Sequence, residues 1–250
     1  MTVFTIPRGQ VRALWASLLP HAGKQSDDTP EFGRIRHAPG TTDLVAWTFD
    51  GVTAAAGYVD VIDHHDDEAE VFDLSTSVVK AALAVFTGPK DADARQMWED
   101  RPLQVTVTPA GVDLLEVEDI VEGRQLTIER LLTSGDDRYP DVPRTLTSPV
   151  LDALVPEARV SADALARFVA SAKAWGGELV LTVTESRVEV RIGRRLFGLV
   201  PKRSGDVDDA GVELARAQGR WAELLTPLIR LAQPDHTGAA GTSPWIRKLN

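Results

Sequence analysis

Residues 134–147 read Ser-Gly-Asp-Asp-Arg-Tyr-Pro-Asp-Val-Pro-Arg-Thr-Leu-Thr, and this stretch separates two parts of the chain that are rich in predicted β-strands. Pro140 and Pro143 fix the backbone angle φ and have no amide hydrogen to donate, so the stretch cannot continue a central strand. We therefore expect it to run extended along the edge of a sheet.

Hydrophobic periodicity on both sides of this stretch predicts short helices among many strands. The helices are predicted at 8–19, 75–86 and 162–175. The strands are predicted at 3–7, 32–37, 43–49, 54–61, 71–73, 103–108, 112–117, 124–131, 158–160, 179–184, 187–192 and 196–200. The order strand, helix and three strands thus occurs three times, which indicates an internal repeat of βαβββ units. The predicted fold class is α+β, with the helices on one face of antiparallel sheets.

The pattern changes after Lys202. An amphipathic helix is predicted from about 209 to 225, and Pro227 must break or kink it. We expect the polar end of the chain to be a flexible tail, in which Trp245 either docks on a partner or folds back onto the body. The predicted domains are 1–147 with two βαβββ units, 148–203 with the third unit, 204–232 with the C-terminal helix, and the tail at 233–250.

The composition is that of a folded protein without cysteine chemistry. The chain has 250 residues, of which 43% are hydrophobic, no cysteine and a formal net charge of −10. The lack of cysteine excludes disulfides and thiolate metal sites. Because neither a signal-peptide pattern nor an apolar run of membrane-spanning length is found, we expect a cytoplasmic protein with no membrane partner. The negative charge argues against a surface coated all round with phosphate-binding residues, but it allows a local basic patch.

Three short motifs, in this order and at this spacing, resemble those of bacterial sliding clamps, the β subunits of DNA polymerase III. The segment 138–144, Arg-Tyr-Pro-Asp-Val-Pro-Arg, resembles the family's aromatic-Pro-Asp-Tyr-Arg-Arg run. Asp50-Gly51 occupies the place of the family's Thr-Asp-Gly-His-Arg-Leu turn, although its neighbours differ, and 3–7 resembles the strand that enters the first helix. The resemblance implies the sliding-clamp fold, with residues 3–147 as one complete domain and a divergent, shortened second part.

In clamps, the turn and the proline-containing run help to form a surface pocket that holds short peptides of polymerases and clamp loaders. A contribution from the family's last strand is matched by Val200-Pro201, unless the third unit aligns instead with the first half of the family's last domain. The resemblance therefore implies a peptide-binding pocket lined by Phe32, Gly51, Val52, Thr53, Pro140, Arg144, Thr145, Val200 and Pro201.

The charges on the predicted helices provide a separate test, because helices that line a DNA channel should lack carboxylates. The three helices carry one acid, Asp163, in a first turn where the helix dipole favours it. The alternative is that short, alanine-rich helices simply carry few charges. The predicted DNA-facing residues are Arg8, Arg12, Lys80, Arg167 and Lys173.

Asp63-His64-His65 follows a strand and resembles a motif of manganese-dependent DHH phosphoesterases. Those enzymes also need an upstream Asp-x-Asp loop, which Asp50 alone does not supply. The acidic residues 66–68 fit a solvated connector between units better. Since no phosphate-binding loop, nucleophile elbow or catalytic carboxylate pair is found, we expect no catalytic residue, no metal and no cofactor.

The sequence therefore predicts a non-enzymatic sliding clamp, a processivity factor that forms a homo-oligomeric ring around duplex DNA. Its expected partners are duplex DNA bound without sequence preference, peptides of a DNA polymerase and a clamp loader, and further copies of itself. Two alternatives stay open: a clamp-fold module that binds a protein and never encircles DNA, and, more distantly, a metal-dependent phosphoesterase. The three units are a departure from the family, because whole clamp domains need an even number.

Overall fold

The structure is a computed structural model, and it describes residues 1–24, 32–65, 70–118, 123–131, 139–147, 154–155 and 158–202. The chain divides into two compact parts, Met1–Arg203 and Ser204–Asn250. The predicted C-terminal helix and the tail with Trp245 lie outside the described residues.

The described residues form twelve strands and five α-helices. The helices are α1 (Arg8–Leu18), α2 (Thr76–Val85), α3 (Ala92–Asp100), α4 (Val142–Thr147) and α5 (Ala162–Trp175), and a 3-10 turn at Leu19–His21 follows α1. The strands are β1 (Thr2–Pro7), β2 (Arg34–Pro39), β3 (Asp43–Phe49), β4 (Ala54–Asp60), β5 (Asp63–His64), β6 (Phe72–Ser75), β7 (Pro102–Val107), β8 (Val112–Glu116), β9 (Gln125–Ile128), β10 (Leu179–Val183), β11 (Arg187–Ile192) and β12 (Leu196–Pro201).

The strands form two antiparallel sheets with the orders β5-β1-β7-β8-β9 and β10-β11-β12-β4-β3-β2-β6. The first two βαβββ units, which we call unit 1 and unit 2, exchange their first strands. Strand β1 of unit 1 pairs with β7 of unit 2, and β6 of unit 2 pairs with β2 of unit 1. The third unit joins the first through β12, which pairs with β4 so that Leu199 lies opposite Ala54. The α+β fold class is confirmed.

The main core lies between the helices and the sheets. The apolar residues Val11, Leu14, Trp15 and Leu18 of α1 are buried, and Leu14 and Leu18 are fully inaccessible. Phe168 of α5 is also fully buried and packs so closely on β12 that a Cβ atom at position 198 would lie 2.3 Å from its ring. Gly198 is therefore required by this contact, because such a separation is far below the contact distance of two carbon atoms.

Three local predictions are corrected by the structure. The segment after Pro140 was expected to be extended, but it forms α4, because Pro143 lies in the first turn, where no intrahelical donor is needed. Asp141 completes this helix start by accepting a hydrogen bond from the Arg144 amide at 3.0 Å. Helix α3 was not predicted, and the expected strand at 158–160 has no strand conformation.

Candidate nucleic-acid interface and peptide pocket

Arg8, the first of the predicted DNA-facing residues, lies in the interior. Its side chain is 1% exposed, and it donates to a carboxylate oxygen of Glu118 at 2.7 Å and to the Val117 carbonyl at 2.8 Å. Burial lowers the pKa of Arg8, and the charge of Glu116 partly opposes this shift. Arg8 therefore joins the start of α1 to the end of β8, and it is not part of an exposed basic surface.

Arg12 is half-buried and is also used within the protein. Its guanidinium donates to the Leu83 carbonyl at 2.6 Å and to the carbonyl of Phe86 at the C-terminal end of α2. These acceptors are carbonyl groups that a helix end leaves without intrahelical donors. Arg12 thus holds α2 beside α1, and the ring of Trp98 lies 5.9 Å from its guanidinium carbon.

Arg167 connects α5 to the turn between β3 and β4. It forms an ion pair with Asp50, whose side chain is 5% exposed, and its guanidinium lies 3.3 Å from the Thr53 hydroxyl. Asp50 also accepts hydrogen bonds from the amides of Val52 at 2.8 Å and Thr53 at 2.6 Å. Arg167, predicted to face DNA, therefore positions the turn that was predicted to line the peptide pocket.

A buried hydrogen-bond network continues this connection towards α1. The ring of His21 lies between the Thr53 hydroxyl, at 3.2 Å, and the Ser171 hydroxyl, at 3.0 Å. Ser171 donates to the Ser17 carbonyl at 2.6 Å. Burial and, secondarily, the charge of Arg167 lower the pKa of His21 to about 3, so the ring is neutral near pH 7. The sequence analysis missed this network, whose residues are far apart in the chain.

Lys80 on α2 and Lys173 on α5 are the two predicted DNA-facing residues that are exposed. Between α1, α3 and α5 lies an open cleft of about 570 Å³. Its floor is formed by small residues of α1, including Gly9 and Ala13, and its α3 wall carries Glu99 and Asp100. Helix α3 therefore adds carboxylates beside α1, which has no carboxylate of its own.

The segments predicted to form the peptide pocket come together on the seven-stranded sheet. Helix α4 packs on β3, β4 and β12, where its Val142 and Leu146 share an apolar cluster with Trp47 and Leu199. The pairing of β12 with β4 brings the end of β12, and with it Val200-Pro201, beside the turn that precedes β4.

Not every predicted pocket residue is accessible. Val52, at 49% exposure, and Gly51, which has a φ of 89°, lie at the surface of the turn. The ring of Phe32 is close to Gly51, since a Cβ atom at position 51 would lie 3.3 Å from it. Thr53 and Val200 are buried, at 0% and 1% exposure, so their side chains are not available to contact a peptide directly. The remaining predicted pocket residues are the half-buried Pro140 and the exposed Arg144, Thr145 and Pro201.

Comparison with known proteins gives a clear structural similarity and no sequence match. No protein-family model and no curated protein matches the chain. The DNA polymerase III beta subunit of Thermotoga maritima gives a TM-score of 0.62 at 6% identity, over 82% of this chain and 65% of that chain. The DNA polymerase sliding clamp of Bacillus subtilis gives 0.57 at 10% identity, over 81% and 64%. The subunit of Pseudomonas aeruginosa gives 0.54 at 10% identity, over 82% and 65%.

The chain has the sliding-clamp fold. The fold predicted from the three short motifs is thus confirmed, in a divergent form whose sequence identity to these clamps is only 6–10%. The chain spans about 65% of the length of the beta subunits from Thermotoga maritima and Pseudomonas aeruginosa.

Tyr139, at the start of the proline-containing run, anchors this clamp fold in a way that the sequence analysis missed. The guanidinium carbons of Arg34 and Arg36 lie 4.5 and 5.0 Å from the centre of its ring. Both arginines donate to the buried carboxylate of Asp73, at 3.0 and 2.8 Å. Tyr139 therefore holds the segment that leads into α4 against β2. The sequence signal for this contact was the spacing of Arg34 and Arg36, which places both side chains on one face of a strand.

The Asp63-His64-His65 segment lies at the edge of the five-stranded sheet. Phe4 and Thr5 of β1 pair with His64 and Asp63, and His65 lies 3.2 Å from the Asp63 carboxylate. Among the described residues there is no group of three or more potential metal ligands, and the acidic residues that follow at 66–68 lie outside them. None of the helices within the described ranges is both long and apolar enough to cross a membrane.

Proposed function

We propose that this protein is a non-enzymatic DNA sliding clamp of the cytoplasm. It would form an oligomeric ring around duplex DNA and tether replication or repair enzymes through their peptide segments. The observation that carries the proposal is the clamp fold, which extends over 82% of the chain in the comparison with the Thermotoga maritima subunit. The proposal needs no cofactor, since retention on DNA would follow from topology.

The proposed DNA contact is a small one, made by Lys80 and Lys173. Both are exposed lysines on the helices, and lysine binds phosphate as a flexible point charge without reading bases. A weak, sequence-independent contact suits a ring, because encirclement prevents dissociation while the protein diffuses along the duplex. Arg8, Arg12 and Arg167 are left out of the proposed DNA contact, because their side chains are used within the protein by Val117, the end of α2 and the Asp50 turn.

The proposed peptide site lies where the β3–β4 turn, α4 and the end of β12 meet. Its accessible residues combine an apolar side chain, Val52, with the polar Arg144 and Thr145. An apolar surface with a few polar groups at its border is the usual composition of a site for a short peptide.

A second candidate function is a clamp-fold interaction module that does not encircle DNA. The position of α3 favours it, because Glu99 and Asp100 border the cleft beside α1 and would repel phosphate. In this alternative the peptide site is kept, and the helix face has no nucleic-acid partner.

Retention on circular and linear duplex DNA tests the proposal. We expect the protein to remain on closed circular DNA at moderate salt and to be lost when the circle is cut, because a ring slides off free ends. The variant with Lys80→Glu and Lys173→Glu should weaken association by about tenfold or more at low salt, since each reversal replaces attraction to phosphate by repulsion.

The control variant carries Arg191→Glu and Arg194→Glu, which change the same charge on exposed residues of a strand and a turn instead of helices. Circular dichroism checks that both variants fold. Equal losses in the two variants, or equal retention on circular and linear DNA, would exclude the clamp role and favour the interaction module.

A further inference from the structure

Helix α3 is an addition to the βαβββ pattern. In the third unit, residues 176–178 alone join α5 to the next strand, β10. In unit 2, the connection from α2 to β7 is formed by residues 86–101 and contains α3. None of the residues of α3 is buried, and Trp98 is its partly buried contact with the main core. Helix α3 therefore does not fill the core in the way that α1, α2 and α5 do.

Helix α3 lies on the side of α1 that points away from the core. With about 100° per residue, Gly9 and Ala13 lie on the opposite side of α1 from the buried Val11 and Leu18. Gly9 and Ala13 also line the open cleft, together with Glu99 of α3. The two helices approach closely here, since a Cβ atom at position 9 would lie 2.6 Å from the Cβ atom of Glu99. Helix α3 thus lies against the outward face of α1.

The outward face of the helices is the one that would contact duplex DNA in the proposed ring. An α-helix with its side chains is about 10–12 Å wide, so a duplex that lay along α1 would meet α3 first. The charge of α3 opposes this contact, because the helix carries three acids and one base, and carboxylates are repelled by phosphate. Helix α3 therefore covers the surface of α1 that DNA would need.

Trp98 of α3 covers a cluster of three arginines. The centre of its ring lies 5.8 Å from the guanidinium carbon of Arg8, 5.9 Å from that of Arg12 and 5.7 Å from that of Arg124. Its indole nitrogen donates to the carboxylate of Glu116 at 3.1 Å. The guanidinium of Arg12, which was predicted to face DNA, therefore lies beside an element that repels DNA.

The attachment of α3 is local. The hydrogen bonds from Asp91 to the start of the helix, and from Arg95 to the carbonyls of Pro89 and Lys90, lie within the connection between α2 and β7. They would move with the helix. Among the described residues, Trp98 supplies the side-chain hydrogen bond from α3 to another element. Because α3 has no buried residue, it opens at a lower free-energy cost than the core, and the sheets can remain folded.

We infer that α3 is an acidic strap, which covers the outward face of α1 and must move away before this face contacts duplex DNA. Moving the strap would take Glu99 and Asp100 away from the cleft and expose the guanidinium of Arg12. The closed strap is thus an autoinhibitory contact, because α3 and duplex DNA compete for the same surface. The inference deepens the proposed function and rests on it for the identity of the competitor.

Replacing residues 89–100 by a short linker of glycine and serine removes the strap. This segment carries four acids and two bases, so its loss raises the net charge by 2. We expect the variant to bind a short duplex about tenfold more tightly at low salt, because carboxylates near phosphate are removed and Arg12 is exposed. Fluorescence anisotropy measures the affinity, and circular dichroism checks that the variant folds.

The matched control is Asp63→Asn with Glu185→Gln, which raises the net charge equally at exposed positions outside the helices. An equal gain in this control, or no gain in the folded linker variant, would overturn the inference.

Holding the strap closed gives the opposite test in a chain that keeps all its elements. Ala13→Cys and Gln96→Cys place one thiol on α1 and one on α3, where both residues line the cleft, and the natural chain has no cysteine. A short bis-maleimide then joins the two thiols. We expect the joined form to bind the duplex at least about fivefold more weakly than the same variant before the reaction, because the open population is lost.

The control for this reaction is Ala13→Cys alone, capped with N-ethylmaleimide, which fills the cleft but leaves α3 free to move. Unchanged binding after the thiols are joined would overturn the inference. An equal loss in the capped control would also overturn it, because the filled cleft would then explain the effect.

Retention on circular and linear DNA separates this inference from the proposed function. A chain that is retained on circular DNA to the same extent with α3 present, replaced or joined to α1 contradicts the strap and leaves the clamp role intact. Conversely, a linker variant that binds the duplex more tightly but is lost equally from circular and linear DNA contradicts the ring and supports the strap.

Discussion

Arg8 and Lys80 show that two cations on similar helices have different roles when their surroundings differ. Arg8 is 1% exposed and paired with Glu118, whereas Lys80 is exposed. We expect Arg8→Ala to lower the free energy of unfolding by about 3 kcal/mol, because it leaves buried acceptors without their donor. Lys80→Ala should change it by less than about 0.5 kcal/mol. Urea denaturation of both variants measures this difference, and equal stabilities would mean that Arg8 is not a structural residue.

The sequence could predict site residues that have a local signature, but not those that depend on contacts between distant parts of the chain. The Asp50-Gly51 turn was found because a left-handed φ of 89° requires glycine and leaves a short signature. The pairing of His21 with Ser171 was not found, because these residues are separated by 150 positions and a buried neutral histidine has no sequence pattern of its own. Burial of Arg8 was missed for a similar reason, since its partners Val117 and Glu118 lie on another unit.

Among the helices, strong hydrophobic periodicity correctly predicted the bounds of α5, Ala162–Trp175, and those of α1 to within one residue. Helix α3 was missed because none of its residues is buried, so it has no apolar stripe to detect. Its sequence signal was the cap, in which Asp91 accepts a hydrogen bond from the Ala94 amide at 3.0 Å. Helix α4 was missed because two nearby prolines favoured an extended chain.

Helix α3 also gives a prediction about DNA association, since Glu99 and Asp100 border the cleft beside α1. If the helix face contacts DNA, the variant with Glu99→Gln and Asp100→Asn should bind duplex DNA about two- to fivefold more tightly at low salt, because two charges near phosphate are removed. Fluorescence anisotropy with a short duplex at several salt concentrations measures this. Asp63→Asn with Glu185→Gln removes two charges outside the helices and should have a smaller effect; equal gains would show only a change in net charge.

The three βαβββ units of each chain limit how copies of the whole molecule can assemble into a closed ring. Among the described residues, β10 and β6 are the outer strands of the seven-stranded sheet, and β5 and β9 are the outer strands of the five-stranded sheet. If β10 paired with β10 of a second copy, this isologous contact alone would stop at two copies. A ring would then need a second contact, and β9, with its exposed Gln125 and Thr127, is one of the remaining edges.

If β9 also pairs with β9 of another copy, the two self-pairing contacts alternate around the ring, and only an even number of chains can close it. Native mass spectrometry should then detect dimers and tetramers of the 27.1 kDa chain, with no stable trimer. The variant with Gln125→Lys and Thr127→Lys should stop at the dimer, because lysines on an edge strand oppose strand pairing. A stable trimer would instead mean that copies join head to tail, with β9 of one chain meeting a different edge of the next.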